Sequence, residues 1–125
     1  MLHHPVFVDP IRKQATDARM EKILMGFELL RLRDREMPGQ VTCSFLYIAS
    51  HDGCHKQALE EELGLSTASA SRNTDILSRG RIGRGAGGLG LITKEVDPTN
   101  KRRQTLKLTS LGKDLARMIK QTIYD

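Results

Sequence analysis

Ser66, Thr67, Ser69, Arg72 and Asn73 crowd into one short stretch of the sequence. Hydroxyl and carboxamide groups can donate and accept hydrogen bonds, and a guanidinium offers a planar fork that fits phosphate oxygens or the O6/N7 edge of guanine. Lys101, Arg102 and Arg103 follow one another directly, and Arg79, Arg81 and Arg84 are interleaved with glycine in SRGRIGRGAGGLG, residues 78–90. Such cations bind anions without making or breaking bonds, and glycines between them let the backbone approach a surface closely. These residue types offer reversible recognition of a polyanion, with phosphates held by charge and base edges by directed hydrogen bonds.

Reactive groups are sparse by comparison. His51, Cys54 and His55 resemble half a metal site, but only His3 and His4 could complete it, and nothing in the sequence brings them there. The three read better as a polar turn between helices. Cys43 and Cys54 are the only cysteines. Cys43 reads as a small buried hydrophobe, and no disulfide is expected in a reducing compartment. Glu60, Glu61 and Glu62 are consecutive, so they point in different directions around a helix, mostly on its solvated side, and no two converge as an acid–base pair. The sequence holds no phosphate loop, no Ser/His/Asp arrangement and no nucleophile beside a base. It therefore reads as a non-enzyme, with no metal and no other cofactor.

The charge distribution agrees with polyanion recognition. The formal net charge is +5 over 125 residues. Residues 66–107 carry nine Lys/Arg against three Asp/Glu, a net of +6, and the rest carries eleven against twelve, a net of −1. The excess thus coincides with the hydroxyl and arginine clusters, which is the footprint of a nucleic-acid face. Hydrophobic residues make up 38% and aromatic residues only 4%, which suits a helical aliphatic core better than a β-sandwich or a carbohydrate cleft. The length fits one domain. No apolar run approaches a membrane span and no signal peptide opens the chain, so a cytoplasmic protein with no membrane partner is expected.

Pro5 and Pro10 punctuate an irregular arm over residues 1–10, and residues 11–125 read as a single domain. Met20, Ile23, Leu24, Phe27 and Leu30 recur at helical spacing, predicting a helix over residues 11–36 that Pro38-Gly39 stops. A second helix is expected from a Thr42 cap to about Gly53. Residues 56–78 read as two short helices turning at Gly64. Leu59 and Leu63 face inward on the first. Ser66 caps the second, where Ala70, Thr74 and Leu77 form the inward stripe and Thr67, Ser69, Arg72 and Asn73 are left outside. Residues 79–90 are a glycine–arginine insert. Residues 91–109 read as a hairpin turning at Asp97-Pro98-Thr99-Asn100. Thr109 or Ser110 caps a last helix over residues 110–125.

Helix, tight turn, helix and basic hairpin predict a mainly α fold with a small β-hairpin wing. This is a winged helix-turn-helix, which places one helix in the DNA major groove and the wing along the backbone or in the minor groove. LEEELGLSTASASR, residues 59–72, resembles the helix-turn-helix of the multiple-antibiotic-resistance regulator (MarR) family. GLITKEVDPTNKRRQTLKLTSLG, residues 90–112, resembles that family's wing and its exit into the last helix. The resemblance implies a homodimer built from helices 11–36 and 110–125, with recognition helices in successive major grooves. It implies sequence-specific binding of double-stranded DNA by a transcription regulator, with a small-molecule effector or RNA polymerase as further candidate partners. Some positions depart from the family pattern. Asn100 stands where many members have Asp, Asn73 where an apolar residue is usual, and Glu60 where small residues are common. The connection from helix to wing is about nine residues longer than usual. Readings from other classes are a winged-helix interaction module that contacts polymerase or replication machinery, and an architectural protein that binds DNA without sequence preference. An interaction module should carry an apolar patch where this surface carries serine, threonine and arginine.

Overall fold

A computed structural model describes residues 14–78 and 88–125. Asp17 opens the first helix: its carboxylate accepts from the N–H groups of Arg19 and Met20 at 3.1 Å, and α1 runs Ala18–Arg31. This is shorter than the helix expected over 11–36. The arm at 1–10 and residues 11–13 lie outside the described residues. At the other end, the N–H groups of Arg33 and Asp34 both turn back onto the Leu30 carbonyl, and the Asp34 carboxylate takes the N–H of Glu36. Local turn bonding displaces the helical ladder there.

Helix α2 spans Gly39–Ser50 and is capped by Pro38 rather than Thr42. The Pro38 carbonyl accepts from Val41 and Thr42. Proline's missing N–H is no loss at an end where donors are unpaired anyway. Val41, Ser44, Phe45 and Ile48 form its buried stripe, which leaves Cys43 exposed. The expectation of a buried Cys43 is thus corrected by helical phase: its neighbours Ser44 and Phe45 take the inward positions.

Gly53, at φ +94°, makes the turn into α3, Lys56–Leu63. Gly64 closes α3 in the left-handed conformation (φ 64°, ψ 32°), which an L side chain would strain. Helix α4 follows as Thr67–Leu77, capped by Ser66, whose hydroxyl accepts the Ser69 N–H at 3.0 Å. Leu59, Ala70, Thr74 and Leu77 are buried, as their spacing predicts.

Strands β1 (Ile92–Asp97) and β2 (Asn100–Leu108) form an antiparallel hairpin that pairs Ile92 with Leu108 and Val96 with Gln104. Asp97 builds the turn: its Oδ1 accepts both the N–H and the hydroxyl of Thr99, at 2.8 and 2.7 Å. The link into α3 adds a short third edge. Gly53 N–H donates to the Leu106 carbonyl, Leu106 N–H donates to the Cys54 carbonyl, and His55 bridges Thr105. The wing is thereby tied to the start of the helix-turn-helix. Helix α5, Ser110–Tyr124, is capped by Thr109, whose hydroxyl accepts the Gly112 N–H at 3.1 Å.

Phe45, Leu59, Leu77, Leu91, Leu106 and Leu115 meet in one core. Helix α5 approaches it very closely. A Cβ at Gly112 would collide with the Leu91 carbonyl oxygen, a backbone atom that cannot move aside alone. Gly112→Ala should therefore cost about 1–3 kcal/mol of stability, read as a lowered urea midpoint. An unchanged midpoint would contradict this close packing.

Helix α1 packs against α5, but much of its apolar stripe stays uncovered. Only Gly26 and Leu30 of α1 are buried, whereas Met20 and Leu24 are 59% and 57% exposed. Phe27 of α1 and Met118 of α5 are exposed as well. Among the described residues no helix is long and apolar enough to cross a membrane.

Candidate nucleic-acid interface

On α4, Ser66, Thr67 and Arg72 are exposed and Ser69 is half-buried. Three of them form a line along the helix. The Ser66 and Ser69 hydroxyls are 3.0 Å apart, and Arg72 Nη2 donates to Ser69 Oγ at 3.3 Å. The guanidinium is thus drawn toward the helix N-terminus, whose partial positive charge also favours anions. Asn73 does not belong to this face. It is 5% exposed, and its Nδ2 donates to Gln40 Oε1 of α2 at 3.4 Å. The reason is helical phase: three residues beyond Ala70 and four before Leu77, it falls on the inward stripe. Gln40 satisfies the amide that burial would otherwise leave unpaired.

Lys101, Arg102 and Arg103 are exposed on the first residues of β2. Asn100 Oδ1 accepts the Arg102 N–H at 3.0 Å, so the position still fixes the backbone of the tip without bringing a charge. At the base of the tip, His55 Nε2 lies 3.2 Å from Asp97 Oδ2. The two Thr99 hydrogen bonds, and then the His55 imidazole, hold the Asp97 carboxyl below the usual carboxylate range. The tip is therefore braced against α3 from one side and by its own turn from the other.

The wing faces α3 and the first residue of α4 across a cleft of about 190 Å³, lined by Lys56, Gln57, Glu60, Thr67, Arg102, Arg103 and Gln104. The structure thus brings Thr67, Arg102 and Arg103 to one place, although they lie far apart in sequence. Charge on this side is only partly cancelled. Lys94 pairs with Asp75 at 2.8 Å and Lys107 with Glu95 at 3.5 Å. Arg72, Lys101, Arg102 and Arg103 have no acidic partner among the described residues. Arg79, Arg81 and Arg84 lie outside the described residues. The insert's end is anchored beside its beginning: Gly90 N–H donates to the Ser78 carbonyl at 3.0 Å and Leu89 N–H to the Ile76 carbonyl at 2.8 Å.

Lys56, Gln57, Glu60 and Gln104 are cleft residues that the sequence alone does not single out. Glu60 is half-buried rather than solvated. Its carboxylate accepts the Thr67 hydroxyl at 3.0 Å and lies 3.6 Å from Lys56 Nζ. The available signal was the four-residue spacing of Lys56 and Glu60 on a short helix. The residues of the half metal site separate. The His51 ring stacks on Tyr47, with centroids 4.2 Å apart, and His55 faces Asp97. Burial pushes the Cys54 thiol up, which makes it a poor thiolate source. No three His, Cys, Asp or Glu side chains group as metal ligands among the described residues.

No family model and no curated protein matches the sequence. Solved structures match it by shape. The S. aureus MepR–DNA complex aligns with a TM-score of 0.63 over 84% of this chain and 76% of that one, at 19% identity. MarR aligns at 0.59 over 84% and 68%, with 22% identity. The PcaV regulator from Streptomyces coelicolor, which has also been solved with its natural ligand, aligns at 0.58 over 85% and 72%, with 20% identity.

The fold is that of the MarR regulators.

Both stretches that resemble the MarR family fall where that fold requires. Residues 59–72 cover the end of α3, the Gly64 turn and the start of α4, and residues 90–112 cover the hairpin and the start of α5. The buried Asn73 also accounts for one departure from the MarR pattern, since an inward position normally taken by an apolar side chain is here filled by an amide paired with Gln40.

Proposed function

We propose that the protein is a dimeric, sequence-specific regulator of transcription that binds double-stranded DNA. The observation that carries this reading is that Arg102 and Arg103 of the wing share a cleft with Thr67 at the start of α4, while these two arginines, Lys101 and Arg72 are exposed and have no acidic partner among the described residues. In this arrangement Ser66, Thr67, Ser69 and Arg72 enter the major groove. Lys101, Arg102 and Arg103 lie on the backbone toward the adjacent minor groove. Arg79, Arg81 and Arg84 of the insert bring three further positive charges that suit the same polyanion. The mechanism is occlusion of a promoter, or recruitment or hindrance of RNA polymerase. It is a binding function and not catalysis. MepR, of like fold, was solved on DNA, which supports the polyanion reading, and PcaV with its ligand supports a small-molecule effector. Titration of a labelled random-sequence duplex across a range of salt concentrations tests the DNA reading. Affinity should fall steeply and linearly on a log–log plot, and a flat dependence would contradict it.

Dimerisation follows from the uncovered stripes of α1 and α5. Met20, Leu24, Phe27 and Met118 leave large apolar side chains in water on the two helices that pack together. Pairing across a two-fold axis would cover it and set two α4 helices against successive grooves. Sedimentation at micromolar concentration should give a dimer, and Phe27→Asp should shift it toward monomer. A wild-type monomer that still binds DNA tightly would contradict this assembly.

A further inference from the structure

We propose that Glu60 fixes the hydrogen-bond polarity of Thr67, so that Thr67 reads cytosine or adenine on the strand it faces. This rests on the reading of α4 as the helix that enters the major groove. Thr67 is the first residue of α4 and is exposed. Its Oγ1 donates to Glu60 Oε1 at 3.0 Å. A hydroxyl has one proton and two lone pairs, and a carboxylate only accepts. With the proton committed to Glu60, the outward side of the Thr67 oxygen can only accept.

Glu60 is itself held in place. Its other oxygen lies 3.6 Å from Lys56 Nζ, which in turn donates to Ser71 Oγ at 3.1 Å. The Lys56 and Glu60 side chains are 14% and 23% exposed, so water competes poorly for them. The ammonium also offsets a carboxylate that would otherwise repel phosphates. Ser66 and Ser69 impose no such polarity, because their hydroxyls bond each other and can exchange donor and acceptor roles.

In the major groove cytosine presents its N4 amino group and adenine its N6 amino group, while guanine O6 and N7 and thymine O4 only accept. An acceptor-only Thr67 therefore favours cytosine or adenine, and it cannot donate to a phosphate oxygen. Removing the Glu60 carboxylate returns the proton to Thr67, which can then bond any of these atoms.

The test uses the full chain and a site chosen by selection from random DNA. Each base pair is replaced in turn by the other three, and binding is measured for wild type, Thr67→Val and Glu60→Ala at one salt concentration. Thr67→Val marks the position it reads by losing discrimination there. Wild type should prefer cytosine or adenine at that position by about fivefold, the scale of a single hydrogen bond. Glu60→Ala should bring this to about twofold or less, and leave discrimination at the other positions intact. Glu60→Gln keeps the side-chain volume while its amide can donate to Thr67. It should relax the same position, and it replaces the alanine variant if that one melts early. A guanine or thymine preference at the Thr67 position overturns the proposal. So does unchanged discrimination in both Glu60 variants, or a loss spread over every position. Discrimination elsewhere with none lost in Thr67→Val sinks this inference alone. No discrimination at any position sinks the sequence-specific reading as well.

Discussion

Alanine in place of Lys101, Arg102 and Arg103 together should weaken DNA binding by at least about a hundredfold at moderate salt, and, with two wings on each dimer, should lower the salt slope by about five units. Each phosphate neutralised releases counterions worth roughly 0.9 of a unit in the slope. These three cations are exposed and have no acidic partner among the described residues, so no described side chain already claims their charge. The tip that carries them is braced by Asn100, by the Asp97–Thr99 turn and by His55, so little ordering is left to be done on binding. The substitutions touch no buried residue and should leave the melting curve in place. The loss should be nearly the same for every DNA sequence, since phosphate contacts carry no base information. A triple variant with the parental slope would place the wing away from DNA.

Arg72→Ala should cost about 1–3 kcal/mol of specific binding per half-site, or roughly five- to 150-fold, concentrated at one position of each half-site. Arg72 is exposed, and its hydrogen bond to Ser69 aligns the guanidinium along α4 without burying it. A fork presented this way matches the O6 and N7 atoms of guanine. Arg72→Lys separates base reading from simple charge: lysine keeps the attraction to phosphate but loses the two-toothed fit. If the alanine variant, still folded, binds the selected site as tightly as wild type, Arg72 does not lie in the groove.

The elements were largely legible because most are set by local chemistry. Gly64 between two short amphipathic stretches, Ser66 before an apolar stripe, and Asp97-Pro98-Thr99-Asn100 between alternating segments each specify a turn or a cap through their own hydrogen bonds. The boundaries that went wrong were those decided by competing local bonds. Residues 32–36 keep the composition of α1, yet Asp34 turns them out of it, and Pro38 serves as a cap where a threonine looked better suited. Helical phase was the other source of error. Cys43 and Asn73 each sit one step from a position of the opposite exposure, and apolar spacing alone leaves such neighbours ambiguous. The basic half of the candidate site could be read from charge. The Lys56–Glu60–Thr67 network could not, because it joins separate helices across the Gly64 turn and its partners are set by packing.

Selection of bound duplexes from a random pool, at one stated salt concentration, tests the central claim most directly. Enrichment of a single site made of two related, inverted half-sites about one helical turn apart is expected, as a two-fold dimer with one α4 in each major groove requires. Recovery of unenriched sequence bound with ordinary salt-dependent affinity would contradict specific recognition and leave an architectural DNA binder. Recovery of no DNA at all would contradict the account as a whole.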